Sequence, residues 1–288
     1  MILELKKYKL LQNFKLKTLI LTTRKSPLAL AQAKLAVQLL KAKEPHQHYK
    51  LLPLSTTGDR QLHWQLDQAP EKGLFVKELE AALLEDRATI AVHSAKDLPT
   101  QQHPDLLIAG FLPREDPRDV LVYRNGNYPP SVIATGSPRR KAQGSLLFPE
   151  AEWRTLRGNV RTRLQKIVDG WADATFLAMA GLKRLGIDSW PGLNFQPLDP
   201  STMTPAVGQG AIALQCKRKN QEALSKFLDA DTAKAISIER ELLQQWGGGC
   251  GASHGIYCDY SEGQRLFTFS EAQGHRQIAL ADVATSHG

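Results

Sequence analysis

Apolar and polar positions along the chain change period several times, and each change predicts a junction between a strand and a helix. LKTLILTTRKSPLALAQAKLAVQLLKAK begins as a short apolar strand; Leu28, Ala31, Leu35 and Leu39 then recur at helical spacing. Ser26 is the expected N-cap and Pro27 a first-turn residue, so Arg24 falls where strand hands over to helix. EKGLFVKELEAALLEDRATIAVHSAKDLPT places Phe75, Leu79, Ala82 and Leu83 on one helical face. A strand through Ile90 and Val92 follows and ends at Ser94, Lys96 and Asp97.

The pattern returns in the middle of the chain. SVIATGSPRRKAQ again reads as strand, turn, Ser-Pro and helix, with Ser137 and Pro138 at the cap and Arg139 and Arg140 in the first turn. EWRTLRGNVRTRLQKIVDG adds a strand and a helix, and ADATFLAMAGLKRLG a strand ending before Gly181 and Arg184. Such alternation predicts parallel sheets with helices on both faces. Ligands of these sheets gather beyond the carboxyl ends of the strands, where Arg24, Asp97, Arg139 and Arg140 are expected. FLPREDPRDVLVYRNGNYPPS, rich in prolines and charges, reads as a crossover linker. After LDPSTMTPAVGQGAIALQC come the helical NQEALSKFLDADTAKAISIERELLQQW, the glycine-flanked Cys250 and a strand-like tail. The expected organisation is two similar α/β lobes, 17–113 with 207–226 and 117–202, and a small α+β C-terminal domain, 230–288, carrying the cysteine loop.

Composition narrows the class. With 288 residues, 42% hydrophobic and 23% charged, the chain reads as a globular protein of more than one domain. No apolar run approaches the roughly 20 residues needed to span a bilayer, so no membrane partner is expected. Cys216, Cys250 and Cys258 cannot all pair, and none has a zinc-like spacing. Neither a disulfide framework nor a metal site is therefore expected, and a reducing cytoplasm fits. The N-terminal MILELKKYKLLQNFK lacks the long apolar core of a secretory signal and is expected to be a ragged extension.

The formal charge of +8 is unevenly placed. Between Thr135 and Lys166 stand Arg139, Arg140, Lys141, Arg154, Arg157, Arg161, Arg163 and Lys166 against only Glu150 and Glu152, an excess of six positive charges. Arginine predominates, which favours forked recognition of carboxylate or phosphate. Arg139 and Arg140 open one predicted helix, and Arg157 and Arg161 bracket the start of another. Cations there oppose the helix dipole, so an anion is expected opposite them. Aromatic and basic residues do not interleave as in single-strand binders, so nucleic acid is not an expected partner.

Two further residues stand out. Cys250 in WGGGCGASHG has neighbours that offer no apolar packing, so its sulfur is open to a reactant or an attachment, as nucleophile or tether. Cys216 and Cys258 read as small buried hydrophobes. Asp97 in HSAKDLP ends a strand among positive charges, where an ionised carboxylate would stabilise a developing cation. His93 reads as a strand residue with a satisfied ring.

TRKSPLALAQ, the EKGLFVKELE to KDLP stretch, REDPRDV, SPRRKAQ, LRGNVRTRL, LAMAGLKRLG, PAVGQGA and the Glu239-Arg240 pair ahead of GGGC together resemble porphobilinogen deaminase, also called hydroxymethylbilane synthase. The motifs run in that family's order from about Leu19 to Gly255. The resemblance implies two lobes built like type II periplasmic binding proteins, crossed twice by the chain, and a third domain. It implies a cytoplasmic monomeric transferase that joins four porphobilinogen molecules head to tail with loss of ammonia and releases hydroxymethylbilane by hydrolysis, in tetrapyrrole and haem biosynthesis.

Cys250 matches the cysteine that carries a dipyrromethane cofactor through a thioether, which makes its sulfur an anchor, and Asp97 matches the catalytic carboxylate. Arg24, Ser26, Ser94, Lys96, Thr135, Ser137, Arg139, Arg140, Arg157 and Gly158 match cofactor contacts. Arg24, Arg157, Arg163, Arg184, Gln209, Phe75 and Lys72 match substrate contacts. Gly136 and Gln68 depart from the family's hydroxyl-bearing residue and lysine, GASHGIY lacks the usual proline, and about forty residues follow Cys250 where the family has more. These departures leave, as the other expectation, an inactive or truncated homologue that binds small acidic ligands.

Overall fold

A computed structural model of the chain describes residues 18–56, 76–225, 227–247, 253–260 and 264–280. In chain order the elements begin with β1 (Leu19–Arg24), α1 (Pro27–Lys43), β2 (Tyr49–Leu54), α2 (Lys77–Leu84), β3 (Ile90–Ser94) and β4 (Leu106–Phe111). They continue with β5 (Asp119–Arg124), β6 (Val132–Ala134), α3 (Pro138–Leu147), β7 (Glu152–Arg154), α4 (Val160–Val168), β8 (Ala174–Ala178), α5 (Met179–Arg184) and β9 (Leu193–Pro197). Last come β10 (Ile212–Lys217), α6 (Gln221–Ser225), α7 (Ala230–Gln245), β11 (Gly255–Asp259), β12 (Arg265–Ser270) and β13 (Gly274–Ala279). The chain divides into two compact units, residues 1–113 with 212–230, and residues 114–211 with 231–288.

Each unit holds a five-stranded sheet, ordered β2-β1-β3-β10-β4 in the first and β7-β6-β8-β5-β9 in the second. The two orders are the same topology, with β10 and β5 in equivalent places. Both of these strands run antiparallel to their neighbours, an exception to the expected parallel pairing, which holds for β1 with β2 and β3 and for β6 with β7 and β8. The reason is connectivity: neither β5 nor β10 is delivered by a helix of its own lobe, so the crossover that makes βαβ strands parallel does not apply to them. Because one lobe receives its antiparallel strand first and the other receives it last, the chain passes between the two five-stranded sheets twice. The second unit also contains a small antiparallel sheet, β11-β12-β13, covered by α7 through Ala235, Ile256, Cys258 and Leu266.

Two local expectations change. The stretch read as a linker is a linker only as far as Arg118; DVLVYR forms β5, a central strand whose Val120, Leu121 and Val122 are fully buried. Its unbroken apolar run is what a strand covered on both faces requires. In α1 the buried stripe is Ala29, Ala33, Ala36 and Leu40, and Leu35 is exposed. The helix presents its alanines because small side chains let it lie close on the sheet, against Leu21, Ile90 and Leu214. Ser26 caps α1 by accepting from the Ala29 amide, and Ser137 caps α3 by accepting from that of Arg140, as the Ser-Pro spacing predicts. Cys216 and Cys258 are buried free thiols whose pKa burial pushes up to about 12, so neither serves as a nucleophile at neutral pH.

Candidate active site

In the first unit the expected residues collect at the carboxyl ends of β1 and β3. Arg24 ends β1 and Ser26 follows it. Ser94 ends β3, its Oγ 2.9 Å from Gln32 Nε2 on α1. A single 3-10 turn, Ala95–Asp97, then reverses the chain, closed by the Leu98 amide on the Ala95 carbonyl at 3.2 Å. Ala95 and Leu98 point into the core while Asp97 is exposed. Among the described residues the Asp97 carboxylate has no hydrogen-bond or ion-pair partner. His93, one turn deeper, has a satisfied ring: Nε2 lies 3.0 Å from Gln215 Oε1, and burial drops its pKa to about 4.

In the second unit the first turn of α3 carries Arg139 and Arg140, both buried. The anion expected opposite them is supplied by the chain itself. Asp119, at the start of β5 and fully buried, lies 2.7 Å from Arg139 Nη1 through Oδ2 and 2.7 Å from Arg140 Nη2 through Oδ1. Arg139 also donates to the Thr204 carbonyl at 2.6 Å and Arg140 to that of Phe176 at 2.8 Å. Burial alone would raise the Asp119 carboxyl; the two guanidiniums outweigh it and hold it below the ordinary carboxylate range. Two cations over one anion leave one positive charge in excess. Gln209 joins the cluster, donating to the Pro117 carbonyl and to Asp119 Oδ1, while its own Oε1 is buried without a partner among the described residues.

The turn before α4 brings Arg157, Gly158 and Arg163 together. Gly158 has φ of +120°, and a Cβ there would lie 3.0 Å from Thr162 Cγ2, so the position admits no larger residue without strain. Its carbonyl accepts from Arg163 Nε at 2.7 Å. Arg157 is half-buried and has no hydrogen-bond or ion-pair partner among the described residues. Arg184 closes α5 and donates to the Gly210 carbonyl. Thr135 Oγ1 accepts from the Ser137 amide at 3.2 Å. The hydroxyls of Ser26, Thr135 and Ser137 each accept from a backbone amide, which leaves each O–H proton available to donate.

Sequence reasoning gave no role to Asp119 or to Glu239, though both stood in quoted motifs. The one signal for Asp119 is a charge heading a fully apolar strand. Glu239 on α7 is fully buried; it accepts from Arg114 Nη1, from the Gly208 amide at 2.7 Å and from the Cys258 amide at 2.8 Å. It thereby ties the connecting segment, the loop before β10 and β11 to the helix that leads into the cysteine loop. Glu239→Gln, which keeps the shape but loses the charge and at least one acceptor, is expected to lower stability by about 2 kcal/mol, measurable as a shift of the denaturant midpoint. The described flanks of that loop, Trp246 and His254, meet edge to face with ring centroids 5.2 Å apart. Cys250, Lys72 and Phe75 lie outside the described residues.

Within the second unit, Arg157, without a described partner, and the Arg139–Arg140 pair, with one positive charge in excess, suit an anionic group; within the first, the Asp97 carboxylate can accept N–H groups. Residues 19–225 match the family model described as "Porphobilinogen deaminase, dipyromethane cofactor binding domain". The porphobilinogen deaminase of Streptococcus sanguinis is 39% identical over 82% of this chain and 80% of its own length. That of Coxiella burnetii is 41% identical over 82% and 78%. Among solved structures, the periplasmic VFT2 domain of Bordetella pertussis BvgS aligns over 84% of this chain and 97% of its own, at 16% identity and a TM-score of 0.47, adding nothing to the topology described above. The matched motifs, the two lobes of equal topology and the relatives converge: the chain belongs to the porphobilinogen deaminase family, and its matched region is that family's dipyrromethane cofactor binding domain.

Proposed function

We propose that the chain, a transferase of this family, condenses four porphobilinogen molecules into a linear tetrapyrrole with loss of ammonia and frees the product by hydrolysis, as a cytoplasmic monomer. The domain division read from the sequence, with the cysteine loop in residues 230–288, is part of this reading. The single observation that carries it is the exposed Asp97 carboxylate, set on a buried turn with no cation of its own among the described residues.

The dipyrromethane, when bound, supplies a pyrrole carbon from which the product chain grows. Cys250 would hold it through a thioether, with Arg24, Ser26, Ser94, Lys96, Thr135, Ser137, Arg139, Arg140, Arg157 and Gly158 as its contacts. Arginines suit this role because each pyrrole brings two carboxylates, which would repel one another in a water-poor site unless cations stand between them. Arg139 and Arg140 contribute less than their count suggests, since Asp119 cancels one of their two charges. Arg157 contributes a full charge. Arg24, Arg157, Arg163, Arg184, Gln209, Lys72 and Phe75 are assigned to the substrate. Asp97 accepts pyrrole N–H groups and stabilises the positive charge that develops on the substrate as ammonia departs.

The purified chain given porphobilinogen should release four ammonia molecules per linear tetrapyrrole formed. Thermal stabilisation by porphobilinogen without ammonia would overturn the proposal and leave an acidic-ligand binder. Arg157→Ala should raise KM for porphobilinogen or deplete the bound cofactor, while leaving the thermal midpoint nearly unchanged because the side chain has no hydrogen-bond or ion-pair partner among the described residues.

A further inference from the structure

The turn that aims Asp97 is followed by a chain of hydrogen bonds, buried at its His93–Gln215 end and partly buried beyond it, whose directions are all consistent. His93 Nε2 lies 3.0 Å from Gln215 Oε1, an acceptor, so the ring donates from Nε2. Gln215 Nε2 donates both its protons, to Glu80 Oε1 at 2.8 Å and to Gln102 Oε1 at 2.9 Å. Gln102 Nε2 donates in turn to the Pro99 carbonyl at 2.8 Å. Pro99 lies two residues beyond Asp97. Gln215 is fully buried in the middle of β10 and touches α2, β3 and the segment after the turn at once.

A fully buried glutamine amide on a central strand stabilises poorly compared with an apolar side chain unless every polar atom is matched. Here every one is matched, and the chain of bonds ends on the Pro99 carbonyl, just after the turn that carries Asp97. The Asp97 side chain has no partner of its own among the described residues to fix it, so its position is set by the backbone on either side. Upstream, that backbone is held by β3 and the Ser94 contact with Gln32; downstream, by the Leu98 amide bond and by Gln102.

We propose that Gln215 is a positioning residue for Asp97, acting through Gln102 and the Pro99 carbonyl. The proposal rests on the reading of Asp97 as the catalytic carboxylate. A displacement of the carboxylate by a fraction of an ångström to an ångström is enough to cost turnover, because electrostatic support of a transition state depends on fixed geometry. Gln215→Leu keeps the volume and removes both donors and the acceptor. Gln102→Ala, on a half-buried side chain, severs the last link with little demand on folding.

The test compares both variants with the wild-type full chain for kcat, KM and amide hydrogen exchange. Each should lose about tenfold in kcat with KM nearly unchanged. The Leu98 amide should exchange about tenfold faster while the amides of β1 keep their protection. Wild-type kcat with an unchanged Leu98 amide in both variants would overturn the proposal. So would a loss of kcat accompanied by equal loosening of β1 and β3, which is the mark of a merely structural residue. Asp97→Asn is run beside them: if it turns over normally, the reading of Asp97 fails, and the Leu98 exchange still decides whether the network holds the turn.

Discussion

Asp97→Asn is expected to fold as the wild type does and to lose on the order of 10²- to 10³-fold in kcat. The fold is spared because the carboxylate is exposed and holds no described residue in place; its loss breaks no contact among them. The chemistry is not spared. A departing amine leaves positive charge on the pyrrole, and a fixed anion stabilises that charge far more strongly in a water-poor site than in bulk solvent. Asparagine keeps an acceptor oxygen for pyrrole N–H groups but not the charge, so KM should move little. Steady-state ammonia release checks the effect, and near-normal kcat would withdraw Asp97 from its role.

Asp119→Asn is expected to do the reverse, damaging the fold first. It would leave Arg139 and Arg140 buried beside each other with no anion, at a cost of about 3–5 kcal/mol. The thermal midpoint should fall on the order of 10 °C. The same pair sets an acid limit for the wild type. The folded Asp119 carboxyl is held below its unfolded value, so its contribution is complete above the ordinary carboxylate pKa of about 4 and is lost as pH falls below it. The Asn variant should therefore show a flatter decline of stability below about pH 4 than the wild type. A variant as stable as the wild type would mean that the arginines find their counter-charge elsewhere.

Much of the fold was legible because period and punctuation agreed. The Ser26-Pro27 and Ser137-Pro138 pairs mark caps whose hydroxyls do bind the helix amides, and the repetition of strand, Ser-Pro and helix exposed two lobes of one design. The antiparallel strands were not legible, since direction within a sheet follows from the connection and leaves no period in the sequence. The prolines and charges flanking DVLVYR masked β5 for the same reason: local composition speaks of turns, while burial is decided by the sheet around it. In α1 the leucines were the louder signal, but packing distance selected the alanines.

The placement of Asp97, Arg24, Arg139 and Arg140 at element ends was legible from the change of period at each junction. The roles of Asp119 and Glu239 were not, because an acid's partner is set by burial and tertiary approach, and Glu239 meets residues more than 100 positions away in Arg114. Gln215 was hidden inside an apolar strand, where one amide reads as noise until its three partners are seen.

The central claim is that this chain carries a pyrrole anchor on Cys250. Intact-protein mass spectrometry of the purified wild type and of Cys250→Ala tests it most directly. The account predicts a wild-type mass increased by one two-pyrrole adduct and a Cys250→Ala mass with none; an unmodified wild type that still forms tetrapyrrole, or an adduct that survives in Cys250→Ala, would contradict it.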